Sequence, residues 1–126
     1  MTSDILIVVR HGPYGSFQAP EGLRHANGAV SMGFRPVFVL IDDGVYLARA
    51  GQDPGDSQWL SLSETLEELV ARGLYENKEN PAEFYAEKES LAKRGLDEND
   101  LVEDLEIIDN ARVSELFAAN SLQLIF

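Results

Sequence analysis

The sequence predicts an α/β fold with an open, mostly parallel sheet of about five strands and helices on both faces. Two short aliphatic runs, at residues 5–9 and 37–41, are rich in β-branched residues, as strands buried on both faces are. A glycine-containing turn and a segment with helical spacing lie between them. Strand, helix and second strand fit within about forty residues, which indicates a right-handed parallel βαβ unit.

The remaining elements follow from the same patterns. Leu23, Ala26, Ala29 and Val30 form a partial apolar stripe on the first helix, and Gly33 is placed to end it. Ser63 is expected to cap the second helix, whose inner face is Leu66, Leu69 and Val70, and Gly73 to close it. Asn110 is expected to cap the last helix. The predicted strands are residues 4–10, 35–42, 83–86, 105–109 and 121–126; the predicted helices are 18–33, 63–72, 87–94 and 110–119; residues 45–57 are predicted as a loop.

Size and charge limit the classes of function. The 126 residues suit a single domain over residues 1–126, and 44% hydrophobic residues are enough to form a core. The net charge of −12 argues against direct binding to nucleic acid or to an anionic membrane, and serves solubility or docking to a basic partner. No apolar run is long enough to span a bilayer, and the first residues include an acid and no basic segment, so a cytoplasmic location is expected.

The sequence contains no cysteine. Disulfides, thiolate metal sites and a persulfide on this chain are therefore excluded. The two histidines lack metal-binding spacing, Asp42 and Asp43 are most simply a strand end facing water, and the glycines match neither a dinucleotide fingerprint nor a P-loop. We expect neither a metal nor a cofactor.

Function in open parallel sheets is usually found at the carboxyl ends of the strands. Three segments are predicted to meet there, at residues 10–16, at residues 42–46, which include Asp43, Gly44 and Tyr46, and around Glu87.

The tripeptide Arg10-His11-Gly12 directly follows the first strand and is similar to the opening motif of histidine phosphatases. That chemistry needs a second histidine and late basic groups, whereas His25 lies in the first predicted helix and Arg112 is the only basic residue after Arg94. His11 is better explained as a turn residue that bonds a nearby backbone group. Backbone amides near Gly12 and Gly15 are candidates for binding a phosphate, a nucleotide or another small anion, although a tight strand-to-helix turn also explains these glycines.

Four aromatic residues lie outside the predicted strands: Tyr14, Phe17, Tyr46 and Trp59. Near a strand-end cleft they would either line a pocket or cover a contact between subunits, and we favour the contact. A chain ending in the strand at 121–126 also places Phe126 at a sheet edge or an interface, which favours an oligomer.

Several segments in order resemble the DsrE/DsrF-like family. They are the strand Ile5-Leu-Ile-Val-Val, the turn Gly12-Pro-Tyr-Gly15, the run from Val37 to Tyr46, the stretch Ser90-Leu-Ala-Lys-Arg-Gly-Leu96, and the ending Leu122-Gln-Leu-Ile-Phe126, which is similar to that of TusC-like chains.

The resemblance implies a flavodoxin-like fold that assembles into trimers or hexamers, homomeric or heteromeric. It also implies a sulfur relay in which a cysteine about eight residues before the glycine of the Arg-Gly pair carries a persulfide. Counting back from Gly95 reaches Glu87, so this chain departs from the family at the reactive position. The expected role is a non-catalytic subunit among related subunits. The alternatives are anion binding or hydrolysis at Arg10-His11-Gly12, and a general-base role for Glu87.

Overall fold

The computed structural model describes residues 4–126. Residues 1–3, which belong to the predicted domain and to the start assessed for a secretory signal, lie outside the described residues. The strands are β1 (Asp4–Val9), β2 (Arg35–Leu40), β3 (Glu83–Glu87), β4 (Glu106–Ile108) and β5 (Gln123–Ile125). The helices are α1 (Gln18–Ser31), α2 (Leu62–Tyr75), α3 (Lys88–Lys93) and α4 (Asn110–Ala119), and two 3-10 helices span Asp42–Ala48 and Glu98–Asp100.

All five strands are parallel and lie in the order β4-β3-β2-β1-β5. The predicted βαβ unit is confirmed, since β1 and β2 pair directly, with Leu6 opposite Val37. The chain steps from β1 to β4 in one direction and then crosses back to place β5 beside β1. β5 is therefore an edge strand, as the predicted position of Phe126 required.

Helices cover both faces of the sheet, as predicted. One face packs Ile7, Phe38 and Phe84 against α1, α2, α3 and the first 3-10 helix. The opposite face packs Leu6, Val8, Val37 and Val39 against Val113 and Leu116 of α4. The central strands β1 and β2 are consequently buried on both sides, which explains their unbroken aliphatic sequence. No helix within residues 4–126 is long and apolar enough to cross a bilayer.

The prediction of a loop over residues 45–57 is wrong at its start. A 3-10 helix runs from Asp42 to Ala48, and its Val45, Leu47 and Ala48 are fully buried. The element is too short for a helical period to emerge from the sequence. Gln52 ties the segment after this 3-10 helix to the helix itself. Its side-chain amide donates to the carbonyls of Tyr46 and Leu47 at 3.1 and 3.0 Å, and also to the carbonyl of Arg49.

Three predicted helix boundaries also differ. Helix α2 begins one residue before Ser63, whose buried hydroxyl accepts the backbone N–H of Gln52 instead of capping the helix. Gly73 does not end α2, which continues to Tyr75; it lets the helix approach β3, since a Cβ there would lie 2.7 Å from the Phe84 ring. Asp109, and not Asn110, caps α4 by accepting the Arg112 amide.

Candidate functional site

The carboxyl ends of β1 and β2 meet closely. The Ile41 amide donates to the Val9 carbonyl at 3.0 Å. Gly44 lies directly on that carbonyl, because a Cβ at this position would be 2.0 Å from its oxygen. Only glycine fits such an approach of two backbones. The turn from Asp42 to Gly44 is thereby fixed against the end of β1, beside Arg10.

Ser90 joins the ends of β2 and β3. Its hydroxyl is buried, accepts the Asp42 amide at 2.8 Å and donates to the Glu87 carboxylate at 2.5 Å. Asp42 has a φ of 50°, a conformation that costs a non-glycine residue on the order of 1 kcal/mol. The hydrogen bond from its amide stabilises this turn, so one hydroxyl sets the positions of Asp42 and Glu87.

Two arginines pair with the aspartates of this turn. Arg94 donates from Nε to Asp43 Oδ1 at 2.9 Å and from Nη1 to the Ser90 carbonyl at 3.1 Å. Arg10 lies 3.8 Å from Asp42 between Nη2 and Oδ2, with both side chains more than half exposed. Such exposed pairs contribute little to stability, and Arg10 is free to turn toward another anion. We call this group the strand-end cluster: Arg10, Asp42, Asp43, Glu87, Ser90 and Arg94.

The strand-end cluster brings together part of the predicted site. Arg10, Asp43, Gly44 and Glu87 meet as expected from the sheet topology. Tyr46 is half-buried in the first 3-10 helix, where its carbonyl accepts the Gln52 amide. Asp42 and Asp43 each pair with an arginine, and Glu87 accepts the Ser90 hydroxyl. This mixture of donors and acceptors suits binding of a polar group that both donates and accepts hydrogen bonds. Among residues 4–126 no three acidic or histidine side chains are grouped to hold a metal ion.

The loop after β1 points elsewhere. Tyr14 reaches the start of α2, where its hydroxyl accepts the Leu62 amide at 3.1 Å and donates to the Leu60 carbonyl at 3.3 Å. His11 is exposed, and Gly15 has a φ of 89°, so the geometry of the turn accounts for a glycine there without an anion. Gly12 has open space around its Cα. These residues form a strand-to-helix turn, and an anion site at this turn stays a prediction.

His25 is occupied within its own helix. Its Nδ1 lies 2.8 Å from the Glu21 carbonyl, and its ring contacts Phe126 at 5.0 Å between centroids. The second histidine that phosphatase chemistry requires therefore lies on helix α1, where it packs against Phe126 beside β5.

Three of the four predicted aromatic residues come together. The rings of Tyr14 and Trp59 are perpendicular with centroids 5.8 Å apart, and Phe17 lies 6.3 Å from Trp59. Tyr46 belongs to the separate 3-10 helix. The group is exposed on one side, with Phe17 78% accessible.

The clearest pKa shifts lie near the amino ends of the strands. There Arg35 hydrogen-bonds Asp4 at 2.9 Å and contacts Glu83 at 3.2 Å, linking three neighbouring strands. The hydrogen bond from Arg35 lowers the pKa of Asp4 and raises that of Arg35. Burial, and then the hydrogen bond to Glu83, raise the pKa of Tyr85 to about 12. Since this network joins strands away from the carboxyl-end cleft, its role is structural.

Sequence reasoning missed Ser90 and Arg94 as site residues, although both lie in the stretch 90–96 that supports the family resemblance. The available signal was spacing. Ser90 is three residues after Glu87, so a short helix starting at the strand end brings its hydroxyl back to that carboxylate. The contact of Arg94 with Asp43 spans 51 positions and has no local signal.

Comparison with known proteins agrees with this architecture. The family model described as "DsrE/DsrF-like family" matches residues 3–124. The intracellular sulfur oxidation protein DsrF of Allochromatium vinosum is 33% identical over 85% of this chain and 84% of its own length. A TusC homolog of Pseudomonas aeruginosa is 27% identical over 92% of both chains.

A solved structure shares the fold. The E. coli protein ychN superposes with a TM-score of 0.81 at 21% identity, and the match covers 100% of both chains. At that identity the likeness concerns the fold alone. The family model and the 33% identical relative both extend over most of the sequence, and the chain belongs to the DsrE/DsrF-like family.

Proposed function

We propose that this chain is a non-catalytic subunit of an oligomeric sulfur-relay-type assembly. The observation that carries the proposal is a carboxylate, Glu87, at the position where the family resemblance places the sulfur-carrying cysteine. A persulfide forms on a thiolate sulfur, so a carboxylate at this position cannot carry it. The sequence also has no other cysteine to take over that role.

The geometry around Glu87 supports this interpretation. Glu87 is the last residue of β3, and helix α3 follows it and ends at Arg94 and Gly95, the latter with a φ of 65°. Glu87, at the end of β3, therefore stands at the distance before Gly95 that the resemblance gives for the cysteine before the glycine of the Arg-Gly pair. Within this interval Ser90 holds the carboxylate by a hydrogen bond, so Glu87 is ordered and not a freely solvated side chain.

In this proposal the chain contributes shape and binding, and a related subunit contributes the thiol. One relative, DsrF, is named as an intracellular sulfur oxidation protein, which supports a role in sulfur transfer. The assembly would be a trimer or hexamer in the cytoplasm, built from single-domain chains over residues 1–126. It would need neither a cofactor nor direct contact with nucleic acid or membrane.

The strand-end cluster is then the surface that faces the relay. Arg10 and Arg94 are the only cations of the cluster, next to three carboxylates. The Arg10 side chain pairs with Asp42 at 3.8 Å, and both side chains are exposed to water, so the pair is weak. Arg10 is therefore the residue of the cluster most available to bind a partner's carboxylate or another anion.

Light scattering after size exclusion, combined with affinity capture from the native host, tests the proposal. We expect a mass well above the 13.9 kDa of one chain, and captured relatives of the same family that carry a cysteine. A strict monomer at micromolar concentration that captures no family member would contradict the proposal.

Glu87→Gln separates a structural role of the carboxylate from a chemical one. Glutamine keeps an oxygen to accept the Ser90 hydroxyl, but it cannot act as a base at neutral pH. We expect the variant to assemble as the wild type does and to support the same sulfur transfer by its partners. A loss of transfer with intact assembly would instead assign Glu87 a role as a general base.

A further inference from the structure

A groove runs beside β4, the strand at one edge of the sheet, and consists of two hollows that share Asp104. The first hollow, of about 450 Å³, lies between α2 and residues 101–104, and its apolar lining is Ala50, Val70, Ala71, Leu101 and Val102. The second hollow, of about 740 Å³, continues along residues 104–107. We call the two hollows together the β4 groove.

The backbone of β4 is available on one side. The strand pairs with β3, and the order β4-β3-β2-β1-β5 gives it no second strand partner within residues 4–126. An unpaired edge of this kind presents N–H and C=O groups that a further strand can bind. The second hollow lies along this strand, since Glu106 and Ile107 belong to both.

The β4 groove is lined by carboxylates. The exposed acidic residues along it are Glu67 of α2 together with Glu98, Glu103, Asp104 and Glu106. Lys88 is the one basic side chain among the described residues that line the two hollows. Within residues 4–126 none of the five carboxylates makes an ion pair. Their charge is therefore left for a basic partner to neutralise.

The arrangement of these charges determines the kind of cation that fits. Among residues 4–126 no three acidic or histidine side chains are grouped to hold a metal ion, so the groove suits several separate cations and not a single ion. Lysine and arginine supply such charges on apolar stems, and the stems match the apolar lining of the first hollow. A second copy of this chain, with its net charge of −12, would instead bring like charges together.

We propose that the β4 groove binds a basic, extended segment of a partner protein. The backbone of this segment pairs with the free side of β4, and alternate lysine or arginine side chains meet the carboxylates, because side chains alternate along a strand. A groove that follows residues 101–108 takes a segment of about eight residues, roughly 26 Å long. The inference goes beyond the proposed function, because it depends neither on Glu87 nor on the missing thiol.

Fluorescence anisotropy with the full-length chain and a labelled peptide tests the proposal. The probe is a peptide of about eight residues that alternates lysine with threonine and has blocked ends. We expect saturable binding at low ionic strength that weakens as salt is added, since exposed charges are screened. A peptide of the same charge with every backbone amide methylated has no N–H to donate, and it should bind at least tenfold more weakly.

Neutral variants test the position of the site. Glu103→Gln combined with Asp104→Asn removes two carboxylates of the groove and keeps the size of both side chains. Asparagine also suits the φ of 68° at residue 104. We expect this double variant to raise the dissociation constant of the probe at least tenfold. The matched control is Asp56→Asn combined with Glu79→Gln, which changes the net charge equally at exposed positions outside the groove and should change the constant less than twofold.

Three results would overturn the inference. Equal weakening in the two double variants would show that the probe responds to net charge and not to the β4 groove. A methylated peptide that binds as tightly as the probe would replace strand pairing by charge attraction alone, such as a polyamine would show. A lack of saturable binding at low ionic strength would remove the site altogether. None of these results bears on Glu87 or on the oligomer, so the proposed function is decided separately by light scattering and affinity capture.

Discussion

Ser90→Ala is the most direct test of how the strand ends are held. The hydroxyl is buried, with 3% of the residue exposed, and it serves two groups at once: it accepts the Asp42 amide at 2.8 Å and donates to Glu87. Alanine removes both bonds without removing backbone or adding volume. The Asp42 amide then loses its acceptor in a turn whose φ of 50° is already unfavourable.

The magnitude follows from these two groups. A donor left without a partner costs about 1–3 kcal/mol when buried, and a neutral hydrogen bond contributes about 1 kcal/mol. Glu87 is half-buried, so water can replace the lost donor there and reduce that share. We therefore expect a loss of about 2 kcal/mol in the free energy of unfolding, which for a chain of this size is a fall of roughly 8 °C in Tm.

Urea denaturation with the m-value compared between variants measures this loss. Ser121→Ala, at an exposed serine, should change the free energy of unfolding by less than about 0.5 kcal/mol. A double-mutant cycle with Glu87→Ala, which removes the acceptor of the Ser90 hydroxyl, should give a coupling of about 0.5–1 kcal/mol, since the two side chains share one hydrogen bond. If Ser90→Ala were as mild as Ser121→Ala, the hydroxyl would not be what joins β2 to β3 at their ends.

Four further variants probe other parts of the fold. Gly44→Ala, which puts a methyl group 2.0 Å from a backbone oxygen, should cost more than about 3 kcal/mol in chemical denaturation, whereas Gly28→Ala, in open space within α1, should stabilise by about 0.5 kcal/mol. The pKa of Tyr85, raised to about 12, favours the neutral phenol in the folded state, so this stability is fully present below pH 10 and is lost as pH rises from 10 to 12. The loss in the free energy of unfolding should be on the order of 2 kcal/mol. In Tyr85→Phe the urea midpoint should change less between pH 9 and pH 12 than it does in the wild type. Tyr14→Phe should lower Tm by several degrees, because two hydrogen bonds from the loop to the start of α2 disappear. It should also weaken the near-ultraviolet circular dichroism signal of Trp59, whose ring packs against Tyr14.

The sequence was most informative where burial dictates composition. Strands β1 and β2 are covered on both faces over residues 6–9 and 36–40, so these positions must be apolar and the pattern is unmistakable. It was least informative over Asp42–Ala48, where a short 3-10 helix has buried residues but no period long enough to detect. Gly73 was misread for a related reason, since a glycine that lets α2 approach Phe84 has the same letter as one that ends a helix.

The candidate site was predictable in place but not in its connections. Parallel topology alone brings Arg10, Asp43 and Glu87 to one edge, and this part followed from element order. The bonds that fix their side chains run from Asp42 to Ser90 and from Arg94 to Asp43, over 48 and 51 positions. Contacts at such separation depend on the relative placement of strands, which no local pattern encodes.

The strand-end cluster separates the architecture of the site from its chemistry. The backbone after β3 is held by two bonds of Ser90, whose hydroxyl accepts the Asp42 amide and whose carbonyl accepts Nη1 of Arg94. The turn that carries Asp42 is held in turn by the close approach of Gly44 to the end of β1. Of these contacts only the bond from Ser90 to Glu87 involves the side chain at position 87. The same scaffold can therefore hold a carboxylate or a thiol at the end of β3 with little change in backbone. A substitution at position 87 alone would therefore change the chemistry of this strand end and leave the fold in place.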